Sequence, residues 1–161
     1  MLTSQPVALT PEALLARESE GYRALVETLQ REQDALRKAD ADTLRGIVPI
    51  KLRQLERVED DANERRAAMR RLGLTDNASG LDRWLTGSSD PSVAKSAWKD
   101  LLALAAEAKR LNGANERLNA RQLRHFDRAI AALSKAAGHS AVYGADGRQH
   151  LNPYTRTIAA I

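Results

Sequence analysis

Few side chains in this chain have the types and spacing that chemistry needs. The histidines are His125, His139 and His150. No two of them, and no histidine with a carboxylate, stand at metal-ligand spacing on one rigid element, so no metal site is expected. Ser79, Ser88, Ser89 and Ser92 could serve as nucleophiles only beside a base on a nucleophile elbow, and that sequence pattern is missing. No glycine loop of the phosphate-cradling kind is present. The acidic pairs Asp60-Asp61 and Asp40/Asp42 sit where helix surface and helix caps are expected rather than in a general acid–base arrangement. No catalytic residue, cofactor or metal is therefore expected, and the chain does not read as an enzyme. Arg65-Arg66 and Arg70-Arg71 make the best case for binding phosphate. They lie among Asp60, Asp61 and Glu64 at pairing distance along a helix, and no aromatic interleaves with them to stack on bases. Nucleic acid is thus not expected as a partner.

The elements that would carry these groups are helices. Hydrophobic residues make up 43% of the 161 positions, yet aromatics are only 4%. A Leu/Ala interior suits closely approached helices better than a sheet. The net charge of +4 is mildly uneven: residues 1–75 hold 13 basic and 13 acidic side chains, residues 76–161 hold 12 and 8. The absence of cysteine excludes a disulfide framework. No apolar run approaches the roughly 20 residues that span a bilayer, and MLTSQPVALTPE lacks the features of a signal peptide. A cytoplasmic location without membrane insertion is expected.

Thr10-Pro11-Glu12 starts a first helix, and Leu15, Tyr22, Leu29 and Leu36 recur every seven residues to about Lys38. Asp40 or Asp42 restarts the chain. Leu44, Val48, Leu52, Leu55, Val58, Ala62, Met69 and Leu72 then mark one face, with Pro49 expected to kink that helix or set off a short first piece, and Gly73 to end it. Residues 73–90 read as a connector in which Leu81, Trp84 and Leu85 plug the bundle end. Asp90-Pro91 starts a third long helix to about Ala137. Its face runs through Trp98, Leu101, Leu104, Ala108, Leu111, Asn115, Leu118, Gln122, Phe126, Ile130 and Leu133. At about 1.5 Å per residue such a helix spans roughly 70 Å, too long for a small globule. The expected architecture is all-α: an elongated antiparallel bundle of three long helices with a short helical connector, residues 1–138, and a C-terminal tail, residues 139–161. In the tail, a short amphipathic helix is expected at 153–161.

Partner binding is expected in two places. Asn112 and Asn115, with Asn119 at spacings of 3 and 4, form a polar notch in the long helix, where Asn115 interrupts the apolar seam; one register-setting asparagine with two surface ones is the other reading of the same residues. In the tail, Val142, Tyr143, Leu151, Tyr154, Ile158 and Ile161 form an amphipathic set too short to be stable alone, which must dock on its own bundle, a second copy or a partner.

The ordered set of Arg65-Arg66 before Leu72-Gly73-Leu74, Asn112 with Asn115 in LNGANERLNARQLRHFDRAIAALSKAAG, then Tyr143-Gly144 with Gly147 in VYGADG, resembles the FlgN-like flagellar export chaperones over about residues 10–148. The resemblance implies a cytoplasmic type III export chaperone for hook–filament junction proteins of the bacterial flagellum. It would keep their terminal helices unassembled and deliver them to the export gate, with Tyr143 in contact with client or gate. The rival is a structural coiled-coil or scaffold protein acting through homo-oligomerisation.

Overall fold

The computed structural model describes residues 10–136 in four helices: α1 Pro11–Lys38, α2 Ala41–Arg71, α3 Ala78–Thr86 and α4 Pro91–Ala136. Among the described residues there is no strand. The starts follow from local chemistry. Thr10 accepts a hydrogen bond from the Ala13 amide at 3.3 Å, with Pro11 at the first position of α1. The Asp40 carboxylate accepts from the Thr43 amide at 3.0 Å, and that of Asp90 from Ser92 and Val93 at 3.1 Å each. α1 stops at Ala39, whose φ of 52° is left-handed, so only Ala39 and Asp40 separate it from α2. Gly73, φ 70°, ends α2 while the Leu74 amide reaches back to the Met69 carbonyl at 3.0 Å.

The cross-helix contacts fix the directions. Glu18 meets Arg65 and Glu32 meets Lys51, so α1 and α2 are antiparallel. Glu12 accepts from the Asp90 amide and Leu29 from Asn115, so α4 runs parallel to α1. Two compact units divide the chain at Asn119/Ala120: the first carries α1 to α3 and α4 as far as Asn119. In the second, the described part is the remainder of α4, residues 120–136. The expected boundary at 138/139 lies outside the described residues.

The core of the first unit has two parts. Leu14, Leu15, Met69, Trp84, Leu85, Ala94 and Leu101 pack around the connector, and Leu25, Leu29, Val58, Ala108 and Leu111 follow along the helices. The seven-residue seam of α1 is buried at Leu15, Leu29 and Leu36, with Tyr22 half-buried. The plug is a helix of nine residues, with Trp84 and Leu85 inside.

Two details of α2 differ from expectation. Of the two outcomes expected at Pro49, a kink or a short first piece, the second does not occur: α2 is one helix through the proline. Burial of Ile47 and the Lys51–Glu32 ion pair anchor it on either side of the proline, so packing outweighs the one lost backbone bond. The apolar face of α2 is also split. Val58, Ala62 and Met69 are buried, but Val48, Leu52, Leu55 and Leu72 are exposed. The reason is that α2 spends part of its inward face on polar residues: Asp61 and Arg65 are buried beside Ala62 and Met69.

Candidate functional site

Three features of the described residues are candidates for function. The first is a buried polar layer. Arg65 Nε donates to Glu18 Oε2 at 2.8 Å, and both side chains are almost fully enclosed. The Arg65 guanidinium also lies 4.9 Å from the Trp98 ring centroid, tying α2 to α4. Beside it, Arg17 pairs with Asp61 and Glu64, and the Glu64 hydrogen bond is the main reason its pKa is raised. The arginine pairs were expected within α2; instead the closest of them join α1 to α2. Arg66 is held by Asp76 at 3.3 Å and by Asn63. Arg65 is thus enclosed and Arg66 paired, while Arg70 and Arg71 are exposed.

The second feature is a groove floored by α1 and walled by α2 and α4. One hollow of about 370 Å³ has Tyr22, Leu25 and Leu29 beneath it, Leu55 and Val58 on one side and Ala105, Ala108 and Lys109 on the other. Burial raises the Tyr22 pKa, with Glu18 adding to the effect. A second hollow of about 210 Å³ continues past Lys51, over Glu32 and Leu36, between Val48 and Asn115. A polar bridge crosses the groove: Lys51 Nζ donates to Glu32 at 3.0 and 3.1 Å, and Asn115 Nδ2 donates to Glu32 Oε2 and to the Leu29 carbonyl, each at 2.8 Å.

Asn112 and Asn115, expected as one notch, have different roles. Asn115 is 2% exposed and locks α4 to α1, which is the register-setting reading. Its two near partners are acceptors, which fixes the amide orientation and leaves Oδ1 buried with no donor. Asn112 is half-buried, lines the larger hollow and donates to Glu116 at 2.7 Å.

The third feature lies on the face of α4 that the sequence marks at Phe126, Ile130 and Leu133, with Leu123 added to it. In the second unit, Leu123, Phe126, Ile130 and Leu133 are 47%, 59%, 62% and 70% exposed. Their steps of 3, 4 and 3 place them on one face of α4. Four exposed large hydrophobics in a row form a stripe of the kind that marks an interaction surface. Periodicity located the face but gave no sign that it is uncovered. Val142, Tyr143, Leu151, Tyr154, Ile158 and Ile161 lie outside the described residues. No cluster of three or more metal-ligating side chains occurs among the described residues, and no helix among them is long and apolar enough to cross a membrane.

A bundle with a buried polar layer and an uncovered apolar helix face suits a protein that holds other helices. The family model described as FlgN protein matches residues 10–150. This chain belongs to the FlgN family. FlgN proteins are flagellar export chaperones, which places the chain in flagellum biogenesis and agrees with its helical bundle. Among solved structures, the chain resembles a crystal structure named as a flagella synthesis protein FlgN from Pseudomonas aeruginosa. The two share 20% identity and a TM-score of 0.65, over 71% of this chain and 90% of that one, a likeness of fold. No curated protein sequence matches the chain.

Proposed function

We propose that this FlgN-family protein is a cytoplasmic type III export chaperone that binds hook–filament junction proteins, keeps them unassembled and delivers them to the export gate. The observation that carries the reading is the exposed stripe of Leu123, Phe126, Ile130 and Leu133. A client helix that lacks its assembly partners has an apolar face to cover, and this stripe offers the matching surface. Full burial of each such side chain contributes about 1.5–3 kcal/mol, so half-exposed residues leave a useful part of that for a partner. The tail residues Val142, Tyr143, Leu151, Tyr154, Ile158 and Ile161 are assigned to the same contact or to the gate.

Calorimetry with a purified hook–filament junction protein tests the stripe. Phe126→Glu combined with Ile130→Glu should weaken binding by roughly 100-fold, about 2.8 kcal/mol, while the far-ultraviolet dichroism and melting temperature stay as in the parent. Undiminished affinity removes the stripe from the mechanism. The 3, 4, 3 spacing would equally serve a coiled coil between copies, so sedimentation separates the scaffold reading: a concentration-dependent oligomer abolished by the same variant, with no client binding, favours the scaffold.

A further inference from the structure

We propose that residues 120–136 of α4 lie in the plane of an anionic membrane surface, with acidic phospholipid headgroups as the partner of a basic face opposite the apolar stripe. This goes beyond the client reading and does not rest on it. Charge is the first observation. Ala120–Ile161 holds 6 basic and 2 acidic side chains, whereas residues 1–119 hold 19 of each, so the whole net charge of +4 belongs to the second unit. Its described bases are also unanswered. Nine bases of the first unit form ion pairs, but Arg121, Arg124, Arg128 and Lys135 form none among the described residues, and all four are exposed. Asp127 is the one acid in residues 120–136.

The placement of these groups selects the occupant. At 3.6 residues per turn, the four bases fall within about 60° of the helix circumference. Leu123, Phe126, Ile130 and Leu133 fall within about 80°, and the two sectors are centred on opposite sides. A partner helix seated on the stripe would leave the bases unanswered across the full width of α4. Nucleic acid would answer the bases and leave Phe126 and its neighbours in water. A bilayer surface takes both faces at once. The apolar face of an interfacial helix sinks about 5–10 Å into the boundary between headgroups and acyl chains. A helix about 10–12 Å across then keeps its far side within about one screening length of the phosphates, roughly 8 Å at physiological salt. The long arginine and lysine stems let their charged heads bend toward them. No helix among the described residues is long and apolar enough to cross a membrane, so the contact lies along the surface.

Co-sedimentation of the full chain with vesicles tests this. One set is phosphatidylcholine alone, and the other contains about 30% phosphatidylglycerol. Binding should be at least about tenfold tighter on the anionic set, and about 0.5 M salt should remove that gain. Arg124→Gln with Arg128→Gln should weaken anionic binding about tenfold and leave the calorimetric affinity for the hook–filament junction protein unchanged. Phe126→Glu with Ile130→Glu should weaken vesicle binding by at least as much, with dichroism and melting temperature as in the parent for both variants. Equal binding to the two sets, no binding at about 1 mM lipid, or undiminished binding in either variant overturns the proposal. So does an oligonucleotide bound equally by parent and stripe variant but lost in the arginine variant, which would give the basic row to nucleic acid. The arginine variant keeps the stripe, so failure on vesicles is distinguishable from failure of client binding.

Discussion

Removing one partner of the Glu18–Arg65 pair should be the most damaging single polar change in the bundle. The side chains are 4% and 8% exposed, and Nε lies 2.8 Å from Oε2. Glu18→Ala leaves a guanidinium enclosed between α1, α2 and the Trp98 ring with no carboxylate to answer it. Breaking such a pair costs about 3–5 kcal/mol. The Trp98 contact is present in parent and variant alike, so it cancels in the difference. A loss of at least about 3 kcal/mol follows. With a urea slope of about 1–3 kcal/mol per molar for a domain of this size, the unfolding midpoint should fall by roughly 1–3 M. Replacing both partners, Glu18→Leu with Arg65→Met, removes the two desolvated charges together and should restore stability to within about 1 kcal/mol of the parent or exceed it. The surface pair Arg37–Asp34, at 60% and 65% side-chain exposure, is the control: Asp34→Asn should shift the midpoint by no more than the scatter of the measurement. Urea unfolding followed at 222 nm reads all four chains. If Glu18→Ala costs less than about 1 kcal/mol, the pair is behaving as an exposed one and the argument from burial is wrong.

Two further outcomes follow from the same unit. A Cβ at Gly80 would lie 1.9 Å from the Thr75 carbonyl oxygen, a backbone atom, so Gly80→Ala must displace the turn that feeds α3 and loosen Trp84 and Leu85. A loss of about 2 kcal/mol or more is expected by thermal unfolding, and a variant melting with the parent would refute the geometry. Burial raises the Tyr22 pKa above its ordinary 10.0, so the folded chain holds that proton more tightly than the unfolded chain. The resulting stabilisation is complete below about pH 10 and disappears as pH rises through the folded value. Tyr22→Phe should therefore flatten the fall in stability above pH 10; identical pH slopes for parent and variant would show that the phenol is not desolvated.

Legibility in the sequence followed the physics of each signal. Capping chemistry is local, so Thr10, Asp40, Asp90 and Gly73 announced the helix ends where they occur. The α1 seam was readable because its apolar residues repeat without interruption. α2 misled because the inward positions Asp61 and Arg65 are charged: composition assigns charge to the surface, and only a partner on another helix, Glu18 or Arg17, makes such burial tolerable. Val48, Leu52 and Leu55, read as one face with Val58 and Met69, are exposed instead. Phe126, Ile130 and Leu133 were placed on one face of α4 and Leu123 was not, and periodicity reports which side of a helix is apolar, not whether anything covers it. Asn115 was legible as an exception to the seam, but its choice between register and recognition depended on the Leu29 carbonyl and Glu32, 86 and 83 residues away.

The buried polar groups explain how a bundle made mostly of Leu and Ala presents a defined groove. Leu and Ala pack in nearly equivalent ways after a slide of one heptad, so an apolar seam alone leaves the relative heights of the helices weakly determined. Glu18–Arg65 sets α2 against α1, and Asn115–Leu29 sets α4 against α1 about two to three turns further along. A slip of either helix would leave a charge or an amide buried without its partner, at a cost of several kcal/mol for the ion pair and less for the amide. With both heights fixed, Lys51 is held on Glu32 between the two hollows, and Lys109 and Glu116 stand at defined levels on α4. The residues that lower the apolar content of the core are thus the ones that fix the helix heights, and with them the shape of the groove.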